Sequence, residues 1–266
     1  MAQALSCALA VGGLDPSGGA GLLADAGAFR VAGAWPCAVA AALTVQSTAG
    51  LRRTIPVAPG DVRDQLQEVL TQQRVCAWKT GALGSEANVE VVLEAARARP
   101  ELPLVVDPVL LATRAPGGAR LLDEGALDVL RALVATAALV TPNLDEAGAL
   151  LGRPVRTPEE QREAARALVS LGARAALVKG GHGEGAEVLD VLVTGGEVTV
   201  LRGPRLPLPA FHGGGCALSA LLTGWLATHE GGSLEAGVRW ARERHQEGLS
   251  RLGDVGEGLA VLRLDA

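Results

Sequence analysis

Short apolar runs alternate with longer segments of helical periodicity along most of this chain, and this alternation narrows the folds open to it. Apolar runs without polar alternation are typical of parallel strands that are buried on both faces. They cover residues 5–11, 35–45, 75–79, 104–106, 138–140 and 175–178. Between two of these runs, four apolar residues share one face of a predicted helix, namely Val62, Leu66, Val69 and Leu70.

Local signals predict where other elements begin or turn. Residues 157–160 (TPEE) form a capping box with proline at the first helical position, so a helix begins there. Ser85 and Ser233 are suitable N-caps for two further helices. Residues 188–201 contain two β-type runs around Gly195 and Gly196, which predicts a hairpin.

The order of these elements predicts the fold class. Alternating strands and helices imply right-handed crossovers and an open, mostly parallel α/β sheet with helices on both faces. No repeat, low-complexity tract or linker divides the sequence, so we expect one domain over residues 1–266. In an open sheet of this kind, ligands bind outside the carboxyl ends of the strands.

Composition and charge exclude several classes of partner. The formal net charge of −5 gives no broad basic surface for nucleic acid. No apolar run approaches the roughly 18 residues of a membrane-spanning helix. The apolar N-terminus lacks the basic residues of a signal peptide. Four cysteines without a Cys-x-x-Cys motif indicate reduced thiols in a cytoplasmic protein.

Polar residues near the first two predicted strands indicate a ligand site. Residues 12–25 (GGLDPSGGAGLLAD) match neither the dinucleotide fingerprint nor a P-loop, but their glycines let a small ligand approach the backbone. Asp25 lies one turn into the following helix. Thr44 and Gln46 share a face at the end of the second strand, and a glutamine amide that donates and accepts suits a heterocycle. A plain glycine-rich turn and a polar strand end are the structural alternatives.

Charged residues follow three later strands. Asp107 comes directly after an apolar strand, where an unpaired carboxylate is costly. Asn143 and Glu146 share a face at a helix start and offer oxygen ligands to Mg²⁺, directly or through water. The same region would equally serve as an ordinary helix cap. Lys179 ends another buried strand, where its ammonium could meet a phosphate.

The segment 211–218 (FHGGGCAL) places three glycines before a long apolar helix. The backbone N–H groups of Gly213, Gly214 and Gly215 at a helix N-terminus would form an anion site. The field of the helix end also predicts a lowered pKa for Cys216. On its own, Cys216 is better explained as a small apolar helix residue. Together with the charged strand ends, the glycines predict Mg²⁺-dependent phosphoryl transfer.

The motifs, taken in order, resemble those of the hydroxymethylpyrimidine/phosphomethylpyrimidine kinases of thiamine biosynthesis, in the ribokinase-like superfamily. The resemblance extends from about residue 8 to about residue 227. GGLDPSGGAGLLAD is similar to the family's GSDPSGGAGxxAD, and ALTVQST is similar to ALTAQNT. The segments KTGALG, VVDPVL, TPNLDEA, LVKGGH and HGGGC follow in the family's order.

The resemblance implies a ribokinase-like fold, ATP as phosphoryl donor and Mg²⁺ as cofactor. Its implied substrate is 4-amino-5-hydroxymethyl-2-methylpyrimidine or the monophosphate of that compound, and related kinases are often homodimers. By family position, Gln46 would hydrogen-bond the aminopyrimidine. The residues implied around that ring are Gly13, Asp25, Thr44, Ala82 and Val109.

The resemblance also implies the phosphate side of the site. Gly213, Gly214 and Gly215 would form the anion hole for the migrating phosphoryl group. Cys216 would take the place in which many ribokinase relatives carry an aspartate base. The residues implied to organise Mg²⁺ and the nucleotide are Asp107, Asn143, Glu146 and Lys179.

This chain departs from the family at two places. The family usually writes THGTGCT, and here the three threonines are replaced by Phe211, Gly214 and Ala217. After DPV the family usually has AKSGD, whereas here residues 113–115 are Thr-Arg-Ala. The hydroxyls near the phosphate and the lysine of that loop are therefore missing, with Arg114 one place away.

Two other functions fit the same residues. The chain could phosphorylate another small alcohol, such as pyridoxal or pyridoxine, because related folds share the site. It could also be a pyrimidine-binding paralogue with weak or lost kinase activity. Gln46 favours the aminopyrimidine among these substrates.

Overall fold

A nine-stranded sheet forms the centre of the molecule. The computed structural model describes residues 4–110, 121–181, 183 and 185–264. The strands of the sheet are β1 (Cys7–Leu14), β2 (Trp35–Ser47), β3 (Gly50–Pro56), β4 (Val75–Thr80), β5 (Leu104–Val106), β6 (Leu139–Val140), β7 (Ala175–Val178), β8 (Glu187–Thr194) and β9 (Glu197–Pro204). Their order in space is β3-β2-β1-β4-β5-β6-β7-β8-β9.

Most neighbouring strands in this sheet run parallel. Six strands that are neighbours in space pair in parallel, in the order β2, β1, β4, β5, β6 and β7. At one edge of the sheet β3 is antiparallel to β2, and at the other edge β8 and β9 add two antiparallel pairings. The chain leaves β1 towards β2 on one side and reaches β4 on the other. The strand order therefore reverses at β1, and such a switch point opens a crevice at the carboxyl ends of the strands.

Eight α-helices cover both faces of the sheet among the described residues. They are α1 (Gly21–Val31), α2 (Pro59–Gln72), α3 (Glu86–Ala98), α4 (Leu127–Val134), α5 (Leu144–Leu151), α6 (Pro158–Ser170), α7 (Gly214–Thr228) and α8 (Leu234–Leu249). Helices α2 to α6 pack on one face, and α1, α7 and α8 pack on the other. No helix in the described ranges is long and apolar enough to cross a membrane.

The central strands are apolar on both sides because each side faces a helical layer. In β1, Leu9 and Val11 belong to the core under α2 to α6, whereas Ala8 and Ala10 belong to the core under α1, α7 and α8. Small residues on the second side leave room for α7, which is itself apolar along most of its length. The predicted doubly covered sheet is therefore confirmed.

The local predictions are confirmed as well. Ser85 and Ser233 cap α3 and α8, and Thr157 and Glu160 form the capping box of α6. The predicted hairpin is β8–β9, and Gly195 and Gly196 both have positive φ, as a tight hairpin turn requires. Two features were not predicted from the sequence, namely β3 and a small parallel sheet of β10 (Phe211–His212) and β11 (Ala260–Val261).

Candidate active site

One cavity of about 580 Å³ lies at the carboxyl ends of the parallel strands. Every residue that the sequence and the resemblance nominated for the site lines it: Gly13, Asp25, Thr44, Gln46, Ala82, Asp107, Val109, Asn143, Glu146, Lys179, Gly213, Gly214, Gly215 and Cys216. They come together because parallel strands end at the same edge of the sheet. The altered loop of residues 113–115 lies outside the described residues.

A buried ion pair closes the floor of the cavity. Lys79, the charged residue in the apolar strand β4, places Nζ 2.8 Å from Oδ1 of Asp25. Burial opposes the charge on Lys79, but Asp25, Cys216 and Asp107 together raise the pKa of the lysine above its ordinary value. Burial raises the pKa of Asp25 above its ordinary value and Asp107 adds to the shift, whereas Lys79 opposes it, so the charge on Asp25 depends on this lysine. Lys79 was not among the residues predicted for the site, although a lysine inside an apolar strand indicates that a counter-charge is near.

Asp107 is held by three donors. Nζ of Lys179 lies 2.9 Å and Oγ1 of Thr141 lies 3.1 Å from its Oδ1, and Oγ of Ser219 on α7 lies 3.0 Å from its Oδ2. Burial opposes the charge on Lys179, yet Asp107 and Glu146 hold the pKa of that lysine above its ordinary value. The carboxylate is therefore fixed in place, and Lys179 brings a permanent positive charge to the cavity.

Asn143 and Glu146 form the capping box of α5. The Asn143 side chain accepts from the Glu146 backbone N–H, and Oε2 of Glu146 accepts from the Asn143 backbone N–H, each at 2.8 Å. Burial raises the pKa of Glu146 to about 7, with Lys179 opposing and Asp107 adding to the shift. The capping alternative considered for this pair is correct, although both side chains still line the cavity.

The donor set fits a hydrated Mg²⁺ better than an ion enclosed by protein ligands. Within the described part of the chain, no three His, Cys, Asp or Glu side chains cluster closely enough to hold a metal. The oxygens of Asp107 and Glu146 already accept hydrogen bonds, yet both carboxylates face the cavity. Mg²⁺ commonly keeps several waters and binds through one or two carboxylates plus substrate phosphates.

The glycine segment starts α7 beside Lys179. Gly213 is the N-cap with φ of 85°, and a Cβ there would overlap the carbonyl oxygen of Gly19. A Cβ on Gly215 would lie 3.3 Å from Nζ of Lys179. The first N–H groups of a helix have no intrahelical partner. These glycines therefore leave bare backbone donors next to a cation, which is an arrangement for binding an anion.

Cys216 is in the third position of α7, and its pKa differs from the sequence-based prediction. The helix end was expected to lower the pKa, but burial raises it to about 11, against the opposing effects of Lys79 and Lys179 and with the help of Asp107 and Asp25. The expectation was wrong because desolvation by the surrounding fold outweighs the local field of the helix. At neutral pH the group is a thiol.

Gln46 belongs to a chain of three polar side chains along the cavity wall. Its Nε2 lies 2.8 Å from Nε2 of His212, and the same His212 nitrogen lies 2.8 Å from Oδ2 of Asp15. Burial disfavours the charge on Asp15, but hydrogen bonds from His212 and Ser17 hold the pKa of Asp15 below its ordinary value. Asp15 and His212 were not predicted as site residues, although they lie in the segments GGLDPSGGAGLLAD and FHGGGCAL.

The other nominated wall residues differ in what they offer a ligand. The Thr44 hydroxyl donates to the Leu14 carbonyl at 2.9 Å, so it fastens β2 to the end of β1. A Cβ added at Gly13 would lie 3.5 Å from the Cβ of Ala82. Gly13, Ala82 and Val109 contribute no polar side-chain atom to the cavity wall that they line.

Comparison with known proteins places this architecture among small-molecule kinases. The family model for phosphomethylpyrimidine kinase matches residues 15–262. The hydroxymethylpyrimidine/phosphomethylpyrimidine kinase of Salmonella typhimurium is 39% identical over 224 residues, covering 84% of this chain and 83% of the relative. A pyridoxal kinase of Bacillus subtilis, solved as an ADP complex, superposes with a TM-score of 0.87 at 25% identity. The superposition covers 98% of this chain and 97% of the Bacillus subtilis chain. The phosphomethylpyrimidine kinase of Clostridium difficile 630 superposes with a TM-score of 0.77 at 28% identity. This superposition covers 90% of the present chain and 97% of the Clostridium difficile chain.

Proposed function

Because the chain belongs to the phosphomethylpyrimidine kinase family and is a small-molecule kinase, we propose that it phosphorylates 4-amino-5-hydroxymethyl-2-methylpyrimidine, its monophosphate, or both, with ATP. One observation carries the proposal. A side chain suited to an aminopyrimidine, Gln46, and an anion cradle, Gly213 to Gly215, line the same cavity. A substrate that spans them would present its hydroxymethyl group to the transferring phosphate.

Each side of the cavity has its own task in the transfer. Gln46 binds the ring by donating and accepting hydrogen bonds. The oxygen of the substrate forms a bond to the γ-phosphorus of ATP, and the bond from that phosphorus to the β-phosphate bridge oxygen breaks. The N–H groups of Gly214 and Gly215 and the ammonium of Lys179 stabilise the charge on the migrating group. Mg²⁺, held by Asp107 and Glu146 through water, would neutralise the phosphates.

Cys216 orients the attacking hydroxyl and does not deprotonate it. A thiol with a pKa of about 11 is protonated at neutral pH, so it has no thiolate to accept the proton. Phosphoryl transfer passes through a loose transition state, in which the attacking oxygen loses its proton late. That proton then passes to an oxygen of the transferred phosphoryl group and from there to water. The backbone donors therefore carry most of the stabilisation.

A coupled ADP-release assay tests the proposal. The pyrimidine alcohol, its monophosphate, pyridoxal and pyridoxine are offered separately with ATP and Mg²⁺, and products are identified by ³¹P NMR. We expect turnover with one or both pyrimidines and at least tenfold lower kcat/KM with the pyridoxine compounds. The reverse preference would establish the pyridoxal kinase alternative, which the backbone similarity to the Bacillus subtilis enzyme favours. Binding of the pyrimidine in calorimetry without turnover would establish a binding paralogue.

We further propose a cytoplasmic homodimer. The cytoplasmic location is supported by its cysteines Cys7, Cys37, Cys76 and Cys216, which are free thiols, as is common in reducing compartments.

The homodimer is supported by an exposed apolar face. Leu43 and Val45 of β2 and Ile55 of β3 are 42%, 40% and 39% exposed, and Leu43 pairs directly with Ile55. This apolar face would pack against a second copy. Light scattering should give twice the chain mass of 27.0 kDa, and a Val45→Lys variant should give the monomer.

A further inference from the structure

A histidine outside every sequence motif contacts the anion cradle from behind. Nε2 of His245, on α8, lies 2.9 Å from the carbonyl oxygen of Gly214. A carbonyl oxygen only accepts hydrogen bonds, so Nε2 carries the proton and donates it. His245 therefore reaches the cradle from the helix that packs beside α7, and it also lines the cavity.

The contacted carbonyl belongs to the same peptide group as the Gly215 N–H. Hydrogen bonds polarise one another along a chain, so a donor at the carbonyl makes the N–H of that peptide a stronger donor. The Gly215 N–H is among the first groups of α7, which have no partner within the helix. The hydrogen bond at the Gly214 carbonyl thereby strengthens the Gly215 N–H as a donor to the anion.

The surroundings of His245 hold the imidazole neutral and in place. Burial lowers the pKa of His245 to about 4; the nearby cations Lys179 and Arg242 add to the shift, and the Gly214 contact and Asp190 oppose it. Arg242, one turn earlier on α8, donates to Asp190 of β8 at 2.8 Å and to the Leu201 carbonyl at 3.3 Å. These bonds fasten α8 to the sheet at the level of the cradle.

The other side of Gly214 is filled by Phe211. A Cβ at position 214 would lie only 2.6 Å from Cε2 of Phe211 and 3.6 Å from Nε2 of His245. A side chain at position 214, including one with a hydroxyl, would therefore require the Phe211 ring to move. Polar support for the cradle comes instead from the imidazole, through the backbone.

We propose that His245 is a positioning residue that orients and polarises the Gly214–Gly215 peptide, so that the Gly215 N–H stabilises the transferring phosphoryl group. The inference rests on the proposed function of the glycine cradle. It predicts a contribution to kcat and not to binding of the pyrimidine, because His245 acts where charge develops in the transition state. Losing a whole oxyanion donor costs about 10²–10³ in kcat, and weakening one should cost about tenfold.

Three substitutions at His245 test this role. His245→Leu removes the donor, His245→Asn keeps a polar side chain that is too short to reach, and His245→Gln keeps a donor at nearly full reach. We expect about a tenfold lower kcat for the first two, with the pyrimidine KM within about twofold, and recovery to within about threefold of wild type for His245→Gln. In ¹⁵N–¹H spectra the Gly215 amide proton should move upfield in the first two variants. His229→Leu, at the far end of α7, is the matched control and should change neither kcat nor the chemical shift of the Gly215 amide proton.

The outcomes separate this inference from the proposed function. If His245→Leu and His245→Asn turn over as fast as wild type, or if His245→Gln is no better than His245→Leu, the positioning role is refuted. Gly215→Val tests the cradle itself, because its side chain would press on the Lys179 ammonium and block the phosphate. Loss of turnover in Gly215→Val with full activity in His245→Asn would refute only the inference. Full activity in Gly215→Val would refute the cradle on which it depends.

Discussion

Replacing Lys79 by methionine should destabilise the protein by removing the counter-charge of a carboxylate that is almost fully buried. The side chains of Lys79 and Asp25 are 0% and 3% exposed, and their charged atoms lie 2.8 Å apart. Breaking a buried pair by deleting one partner costs about 3–5 kcal/mol, because the remaining charge is left uncompensated. We expect Lys79→Met to lose that much free energy of unfolding, because the negative charge of Asp107 also acts on Asp25 and would no longer be offset by Lys79.

Urea unfolding followed by circular dichroism measures the loss, and two further variants identify its cause. Lys79→Met combined with Asp25→Asn should recover about 2 kcal/mol, because the second change removes the orphaned charge. Arg63→Met breaks an ion pair with Glu94 whose side chains are 50% and 65% exposed, and it should cost less than about 1 kcal/mol. If Lys79→Met costs no more than Arg63→Met, or if the double variant recovers nothing, the buried charged pair is not what stabilises this floor.

Four further predictions address the site. Gln46→Leu should weaken pyrimidine binding by roughly 1–3 kcal/mol in calorimetry, because it leaves polar groups of the ligand unpaired; unchanged affinity would refute the assignment. Glu146→Gln should raise the Mg²⁺ concentration needed for half-maximal turnover and leave pyrimidine affinity without nucleotide unaltered; equal loss of both would make the residue a cap alone. Cys216→Ser should lower kcat less than about tenfold, whereas a general base would cost 10²–10⁴-fold. The unfolded chain protonates His245 near its ordinary pKa of 6.5 and the folded chain only near 4, so stability falls as pH drops through this range. Between pH 7 and 5, wild type should therefore lose about 2 kcal/mol more than His245→Gln in urea titrations.

The layered fold was predictable because its signals are local. Fully apolar short runs such as residues 104–106 and 175–178 identify strands that are covered on both faces, and both are strands here. The strand β3 was missed because its sequence, Gly50–Pro56, carries two arginines and a proline. An edge strand exposes one side to solvent, so its composition resembles that of a loop.

The residues that line the cavity were predictable from the sequence, but their contacts were not. Strand ends such as Asp107 and Lys179 converge by topology alone. The pairing of Lys79 with Asp25, and the contact of His245 with Gly214, join residues that are far apart in sequence. The pKa of Cys216 was mispredicted for the same reason. A helix end is visible in the sequence, whereas the burial that outweighs it depends on how α7 packs against the sheet.

The contact between Phe211 and Gly214 also restricts the order in which this protein could change by mutation. With the Phe211 ring 2.6 Å from the place of a Cβ, a threonine introduced at position 214 alone would displace either the ring or the start of α7. A threonine at position 214 should therefore be accommodated more easily after Phe211 has been replaced by a smaller residue. The effects of substitutions at positions 211 and 214 should therefore depend on each other, and of the two orders in which these two positions could change, replacing Phe211 first avoids the close contact.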